Sequence, residues 1–324
     1  MNRFKNILCV VNTDLKHDTS LEHAVKLAES NQANLTVISV IDNIPTDSEI
    51  NEIFPGDFKE KLMASYQEKL ESLARPWSMK TQLSLKIVTG ITYLEIIHEV
   101  LRNNHDLVIK MTGYKGFLKP FFGSNDMHLL RKCPTPVWLI KPGAPKTYRR
   151  IVAAVDADNY YPDEELDTRK SLNSQILELS SSLALSESAE LHIVHAWEAL
   201  GEDLMRGGIM ARPEEEVIAY VNAVEHRHSE NLNALLDEIG DKLGKKTLKF
   251  LNPRATLLKG NPRENISEFA REIKADLVIM GTVARTGLPG FFMGNTAESI
   301  LDQLDCSVLA IKPPGFKTPV TLGQ

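Results

Sequence analysis

Five short apolar runs occur in the first half of the chain, and five similar runs follow in the same order in the second half. The runs occupy residues 6–12, 35–40, 86–90, 106–109 and 137–142, and then 150–156, 191–196, 256–260, 276–279 and 308–313. They are rich in Val, Ile, Leu and Ala without polar alternation, which is typical of strands buried on both faces of a parallel sheet. The recurrence indicates a duplicated domain.

Helical patterns separate these runs. Thr19 and Glu22 have the spacing of a capping box, which predicts a helix that begins after Thr19. Asn261 followed by Pro262 predicts a second helix start, because Asn caps helices and proline suits the first helical position. A longer helix is predicted from about Pro213 to Leu243. Alternating strands and helices predict an α/β fold with two doubly wound parallel sheets of five strands each.

A short segment at 141–147, rich in Pro and Gly, separates the repeats, so we predict domains at 1–147 and 148–324. The first domain holds 18 basic and 16 acidic residues, whereas the second holds 19 basic and 27 acidic residues. The second repeat is also longer, and its additional residues lie between Trp197 and Leu258. The repeats therefore differ in charge and in this inserted length.

The composition excludes several classes of protein. The chain of 324 residues carries a net charge of −6, which argues against a general nucleic-acid-binding protein. Cys9, Cys133 and Cys306 are too few and too scattered for a disulfide framework or a zinc site. No apolar segment has the length of a secretory h-region or of a membrane span. We therefore expect a cytoplasmic protein with neither a nucleic-acid nor a membrane partner.

A glycine-rich segment connects the fourth strand of the second repeat to the next helix, from Gly281 to Gly294. Ligands of doubly wound sheets bind at the carboxyl ends of the strands, where the strand order reverses. Glycine lets backbone N–H groups approach phosphate oxygens, and a helix that begins near Asn295 would direct its positive end toward them. Asp156 ends the first strand of the same repeat, so we expect it at the same edge of the sheet.

The repeat, Asp156 and this glycine-rich segment resemble the universal stress protein family in its tandem form, over essentially the whole chain. Nucleotide-binding members carry G-x2-G-x9-G-(S/T) after the fourth strand, and an Asp at the end of the first strand faces the adenine. The second repeat has Ala284 at the second glycine position and Asn295 at the Ser/Thr position. The resemblance implies these ligand-binding residues: Asp156, Gly281, Ala284, Arg285, Gly294, Asn295 and Thr296.

The first repeat departs further from this pattern. Asn12 replaces the Asp, and Gly113, Gly123 and Ser124 are the other, weaker candidates for a site. Counting back from Gly123 places Lys110 at the first glycine position, whereas counting forward from the fourth strand leaves the segment one residue shorter than its counterpart. Both alignments stay open. If the two repeats have specialised, we expect one ligand per chain, bound by the second repeat.

The family resemblance also implies a fold and a function. It implies Rossmann-like domains of the adenine nucleotide alpha hydrolase-like type, related by a pseudo-twofold axis, with strands 137–140 and 308–311 paired antiparallel. It implies a non-catalytic stress-response protein that binds a small ligand, with ATP and Mg²⁺ as the candidate cofactors. Such a protein would act through protein partners and support survival under starvation, oxidative stress or DNA damage. Dimerisation of the tandem chain is left open.

Two alternative functions remain. Leu200–Met210 is rich in apolar residues and contains two glycines, which favours either an adaptable cover for an apolar or acyl ligand or simple packing. A slow ATP-hydrolysing enzyme is the other alternative, although no Walker-type sequence occurs in the chain. The sequence does not decide between these functions and nucleotide binding.

Charged residues near the expected site affect what it would bind. Carboxylates gather from Asp156 to Asp167, so a bound triphosphate would need a divalent cation, although Arg169 and Arg285 would offset part of this charge. His226 and His228 lie two residues apart on a predicted helix, which is poor geometry for chelation. We therefore predict no metal site made by these histidines.

Overall fold

The computed structural model describes residues 4–14, 18–42, 58–78, 81–113, 122–207, 210–282 and 293–322, without the side chains of Phe58 and Glu164. The chain divides into two compact units. Unit 1 comprises Met1–Lys146, Asp305–Lys312 and Phe316–Gln324, and unit 2 comprises Thr147–Leu304 and Pro313–Gly315. The domain boundary at 147 stays a prediction from the repeat pattern.

Unit 1 contains six strands and four α-helices within its described residues. The strands are β1 (Asn6–Val10), β2 (Asn34–Ile41), β3 (Leu83–Thr89), β4 (Leu107–Met111), β5 (Val137–Ile140) and β10 (Ser307–Ile311). The helices are α1 (Thr19–Asn31), α2 (Phe58–Ala74), α3 (Thr92–Asn103) and α4 (Ser124–Lys132). Each apolar run of the first repeat thus overlaps a strand, as the sequence pattern predicts.

Unit 2 contains four strands and six α-helices within its described residues. The strands are β6 (Arg150–Ala154), β7 (Glu190–Trp197), β8 (Arg254–Lys259) and β9 (Leu277–Gly281). The helices are α5 (Asp163–Glu187), α6 (Glu202–Gly207), α7 (Glu214–Leu243), α8 (Lys245–Leu251), α9 (Pro262–Glu272) and α10 (Asn295–Gln303). None of the helices in the described parts of the chain is long and apolar enough to cross a membrane.

The strand order in each unit is that of doubly wound α/β proteins, which confirms the predicted fold class. It is β3-β2-β1-β4-β5-β10 in unit 1 and β9-β6-β7-β8 in unit 2. All neighbouring pairs are parallel except the pair formed by β5 and β10. In unit 2, β6 has β7 on one side and β9 on the other, so the strand order reverses at β6. Residues that follow β6 and β9 therefore lie at a switch point.

The sixth strand of unit 1 comes from the end of the second repeat. β10 pairs antiparallel with β5, with Val308 opposite Leu139 and Leu309 opposite Trp138. This pairing confirms the antiparallel arrangement predicted for the final strands. Because β5 gains a hydrogen-bonded neighbour, it does not present a bare sheet edge in unit 1.

Local capping interactions determine where the helices begin. α1 begins at Thr19, but its N-cap is Asp18, whose carboxylate accepts a hydrogen bond from the Ser20 N–H at 2.9 Å. The capping box predicted at Thr19 is therefore wrong by one residue, because the carboxylate suits the positive helix start. Asn261 caps α9 as predicted, and its side chain accepts from the Arg263 N–H at 3.0 Å.

The apolar segment Leu200–Met210 includes helix α6 and is partly packed. Met205 packs against a buried cluster that contains Trp197 and valines of α7. Leu200, Leu204 and Met210 are exposed instead. Residues 208–209 lie outside the described residues. Simple packing therefore accounts for Met205 but not for the exposed side chains.

Candidate functional site in unit 2

A cavity of about 410 Å³ opens at the carboxyl ends of β6, β7 and β9. Apolar side chains from α5, α9 and α10 form part of its wall, and Trp197 at the end of β7 adds an aromatic surface. Four residues predicted from the sequence line this cavity: Asp156, Gly281, Gly294 and Thr296. The cavity thus lies at the switch point of unit 2, where doubly wound folds bind their ligands.

Asp156 is fixed in orientation by its neighbours. Its Oδ2 atom accepts hydrogen bonds from Arg169 Nη1 at 2.5 Å and from the Tyr161 hydroxyl at 2.9 Å. Its Oδ1 atom accepts from the Asp158 N–H at 3.2 Å. The buried Asn173 side chain binds the backbone of Asp156 twice, accepting from its N–H at 3.1 Å and donating to its carbonyl at 2.6 Å. A ligand would therefore meet a preformed carboxylate.

Arg169 brings positive charge into the acidic segment that follows β6. Its guanidinium lies 3.4 Å from the centroid of the Tyr161 ring and contacts Glu165 Oε2 at 3.5 Å. Burial, followed by the Asp156 charge, raises the pKa of Tyr161, so its hydroxyl stays protonated and donates to Asp156. Ala284 and Arg285 lie outside the described residues, and their roles stay predictions.

Close packing against Leu172 explains why residue 281 is a glycine. A Cβ atom at this position would lie 2.5 Å from Leu172 Cδ2 and 3.1 Å from Leu172 Cγ. Real Cβ atoms do not approach a neighbour this closely, so the helix α5 side chain would have to move. The contact explains the residue without reference to a phosphate, although it does not conflict with a phosphate nearby.

We expect Gly281→Ala to lower the free energy of unfolding by about 1–3 kcal/mol, as overpacked sites do. Leu172→Ala should relieve the contact, so the double variant should lose less stability than the two single variants together. Urea unfolding of the four proteins measures this coupling, which we expect at about 0.5–3 kcal/mol. Strictly additive losses would show that Leu172 is not what restricts the position.

Helix α10 begins directly beside the cavity. Gly294 is its N-cap, with φ −69° and ψ 143°, a conformation open to any residue. The Gly294 N–H donates to the Thr282 carbonyl at 3.0 Å, which ties the helix start to the end of β9. Thr296 lines the cavity and Asn295 is exposed. Because the first N–H groups of a helix carry partial positive charge, this edge of the cavity suits an anionic group.

A histidine pair that sequence spacing does not reveal lies in the cavity wall. His195 Nε2 on β7 is 2.9 Å from His228 Nδ1 on α7, and both side chains are buried. His228 continues the buried stripe of α7 formed by Val217, Val221 and Val224. This helical periodicity was the sequence signal that His228 faces the interior of unit 2. Within the described residues, no group of three or more His, Cys, Asp or Glu side chains is arranged to hold a metal ion.

Strand pairing decides between the two alignments of the repeats. Val10 pairs with Lys110 in unit 1, and Ala154 pairs with Met280 in unit 2. Lys110 therefore corresponds to Met280 and not to Gly281, so the alignment that placed Lys110 at the first glycine position is wrong. The glycine-rich segment of the first repeat is the shorter one.

An internal carboxylate occupies the matching helix start in unit 1. Asp126, in the first turn of α4, accepts hydrogen bonds from the Gly123 N–H at 3.1 Å and from Lys110 Nζ at 2.7 Å. The other candidate residues of the first repeat are exposed: Asn12, Gly113 and Ser124. The chain's own Asp126 thus supplies the negative charge that an anionic ligand would bring to this position.

The strand order defines a doubly wound α/β protein with a cavity at its switch point. The sequence model of the universal stress protein family matches residues 3–141 and again residues 147–312. The chain therefore belongs to the universal stress protein family, in a tandem form.

Individual relatives agree with this assignment. The chain is 31% identical over 326 residues to the Universal stress protein E homolog of Haemophilus influenzae, covering 96% of this chain and 98% of that protein. It is 33% identical over 230 residues to Universal stress protein E of Escherichia coli K12, covering 70% of this chain and 67% of that protein. A universal stress protein candidate from Pseudomonas aeruginosa UCBPP-PA14, known from its crystal structure, matches with a TM-score of 0.67 and 25% identity, covering 96% of this chain and 94% of that one.

Proposed function

We propose that this chain is a non-catalytic stress-response protein that binds an adenine nucleotide, together with Mg²⁺, in the unit-2 cavity. The observation that carries the proposal is the cavity at the switch point beside the start of α10. Its volume of about 410 Å³ lies within the range of small-molecule sites. In the same proposal, the nucleotide-bound protein acts on protein partners and supports survival under starvation, oxidative stress or DNA damage.

The cavity offers suitable surfaces to the parts of a nucleotide. Trp197, Ile266 and Ile300 provide apolar surface for a base, and the start of α10 provides N–H groups for a phosphate. Among the described residues, the charged side chains that line the cavity are three carboxylates and one guanidinium: Asp156, Asp158, Glu198 and Arg169. This excess of negative charge repels a free triphosphate, so Mg²⁺ is needed to offset the phosphate charge.

We propose one nucleotide per chain. In unit 1, Asp126 already lies at the start of α4 and is paired with Lys110. A phosphate at the same place would have to displace a carboxylate that is buried and hydrogen bonded. Unit 2 has Gly294 and Thr296 at the corresponding edge, and both residues line the cavity.

The test places a negative charge where the phosphates are proposed to bind. Thr296→Glu adds a carboxylate at the cavity edge in the first turn of α10, where acidic residues favour the helix, so folding should be retained. We expect the Kd for Mg-ATP, measured by isothermal titration calorimetry, to rise at least about tenfold, which corresponds to about 1.4 kcal/mol. Asn125→Glu is the matched control, because Asn125 is the second residue of α4 in unit 1.

Two further measurements complete this experiment. Native mass spectrometry with Mg-ATP should show one nucleotide per chain, and excess EDTA should remove most of the binding. Equal losses of affinity in Thr296→Glu and Asn125→Glu, or two equivalent sites, would contradict a single site in unit 2. Tight binding in EDTA would contradict the role given to Mg²⁺.

An apolar ligand is the second candidate, and the position of Leu200 favours it. Leu200 lines the cavity and is 81% exposed, and the Tyr220 hydroxyl holds its carbonyl at 2.8 Å. Such an exposed leucine at the rim would cover an acyl chain that enters the cavity. Extraction of gently purified protein followed by mass spectrometry tests this. A lipid that is retained by the wild type and lost in Leu200→Asp would favour it over the nucleotide.

A further inference from the structure

The His195–His228 pair joins the long helix of unit 2 to its sheet inside the cavity wall. His195 is 2% exposed and His228 is 5% exposed, and both line the cavity. The ring centroids are 5.1 Å apart, and the ring of Trp197 lies 5.6 Å from that of His228. Two imidazoles whose facing nitrogens are 2.9 Å apart hold one proton between those nitrogens. The two rings cannot both carry a positive charge without repulsion.

The hydrogen bonds around the pair define where its protons lie. The Ala157 N–H donates to His195 Nδ1 at 3.3 Å, so this nitrogen is unprotonated in the neutral pair. His195 Nε2 then donates to His228 Nδ1, which leaves the His228 proton on Nε2. The Val155 carbonyl lies 3.4 Å from His195 Nδ1 and is ready to accept if that nitrogen gains a proton. The pair can therefore take up one proton and keep its mutual hydrogen bond.

Neighbouring charges act on the pair in both directions. Burial lowers the pKa of His195; the Asp156 charge opposes this effect and the His228 charge adds to it. Burial also lowers the pKa of His228, where Asp158 opposes the effect. The charged residues of the surrounding elements are Asp156 and Asp158 after β6, Arg169 on α5, Glu198 after β7 and Arg227 on α7. Burial is the largest of these effects for both imidazoles, and it keeps the pair neutral at pH 7.

An anionic ligand changes this balance. Asp158 Oδ1 is buried and has no hydrogen-bond partner among the described residues, and the Asp158 side chain lines the cavity. A phosphate-bearing ligand adds further negative charge to a cavity whose wall contains the two buried imidazoles. A positive charge on the imidazoles then becomes favourable, since opposite charges attract strongly where the dielectric is low.

We propose that the His195–His228 pair takes up a proton when an anionic ligand enters the unit-2 cavity, so that the two histidines make ligand affinity depend on pH. This inference rests on the proposed function, because it assigns a proton-linked recognition role to residues of the same cavity. Linkage is reciprocal, so a ligand that raises the proton affinity of the pair is itself bound more tightly when protons are abundant. If the pair takes up one full proton for each ligand bound, the Kd changes by about tenfold for each pH unit, which is the largest pH dependence the pair can cause.

The experiment measures the Kd of Mg-ATP by calorimetry from pH 8 to pH 6 for the wild type and three variants. His195→Gln and His228→Gln remove the titrating rings but keep side chains that hydrogen bond. His226→Gln is the control, because His226 is on the same helix, two residues away, and is exposed. The phosphate of ATP titrates in this range too, but it does so equally in all four proteins.

We expect affinity to increase more steeply toward pH 6 in the wild type and in His226→Gln than in the other two variants. Calorimetry in two buffers of different ionisation enthalpy counts the net protons taken up on binding by protein and nucleotide together, and the count should be larger for the wild type and His226→Gln than for His195→Gln and His228→Gln. Equal slopes and equal proton counts in all four proteins would overturn the proton linkage alone. Absence of binding at every pH would overturn the proposed function and the linkage together.

Discussion

Replacing Lys312 with Met is expected to remove a rise in stability that the wild-type protein shows between about pH 8 and pH 10.5. Lys312 follows β10 in unit 1 and is buried, and its Nζ donates to the carbonyls of Leu130 and Arg131 at the end of α4. The ring of Phe316 lies 4.6 Å from the same nitrogen. Burial lowers the pKa of Lys312 from 10.5 to about 8.

The sign of the effect follows from the protons bound in each state. Between pH 8 and pH 10.5 the folded protein has released the Lys312 proton, whereas the unfolded chain still holds it. Raising the pH through this window therefore favours the folded state, by about 3 kcal/mol in total. Below pH 8 the amine is charged in both states, and its contribution no longer changes with pH.

Urea midpoints measured from pH 7 to pH 10.5 test this expectation. The difference in stability between the wild type and Lys312→Met at each pH gives the contribution of Lys312 alone. Lys141→Met is the matched control, because Lys141 follows β5 at the corresponding position of the first repeat and is partly exposed. The wild type and Lys141→Met should gain stability with rising pH relative to Lys312→Met. Parallel profiles for all three proteins would mean that the buried amine does not titrate in this window.

The fold was predictable because its signals are local and repeated. Each apolar run overlaps a strand, and Asn261 caps α9 where the sequence indicates a helix start. The pairing of β5 with β10 was predictable only from the family resemblance, because nothing in the local pattern relates strands that lie far apart in the chain. The start of α1 was misassigned because Asp18 and Thr19 are both capping residues and only the backbone geometry distinguishes them.

The site was less predictable, because its side chains meet through the tertiary fold. Asp156 was expected at the cavity, but its contacts with Arg169 and Tyr161 depend on how α5 packs beside β6. His195 lies on β7 and His228 lies on α7, within the inserted length of the second repeat, so their spacing in the sequence carries no sign of contact. The partner of His228 is on the facing strand β7 and not on its own helix, where His226 is the neighbouring histidine.

The two repeats have kept one fold and diverged at the switch point. Unit 1 holds an ion pair, Lys110 with Asp126, at the helix start where Gly294 and Thr296 of unit 2 line the cavity. The inserted length of the second repeat supplies α7, and this helix contributes His228 to the cavity wall. These differences lie at the ends of the central strands of each unit, where the proposed function places one ligand per chain.

The contribution of β10 to unit 1 should be visible in a second substitution with a large effect. Leu309 lies opposite Trp138 of β5 and is fully buried. Leu309→Ala removes a buried side chain and leaves a cavity, so we expect the free energy of unfolding to fall by about 2–5 kcal/mol. Leu322→Ala is the control in the same unit, because Leu322 is exposed and surface changes stay within about 0.5 kcal/mol.

Hydrogen exchange locates the effect of Leu309→Ala as well as its size. The amides of β5 and β10 should exchange faster in this variant, because their protection depends on the packing that the leucine provides. Amides of β2 and β3, on the far side of unit 1, should change less. If Leu309→Ala cost no more than Leu322→Ala and β5 kept its protection, the end of the second repeat would not stabilise unit 1. A local loss at β5 would instead show that the first repeat depends on a strand encoded at the end of the second.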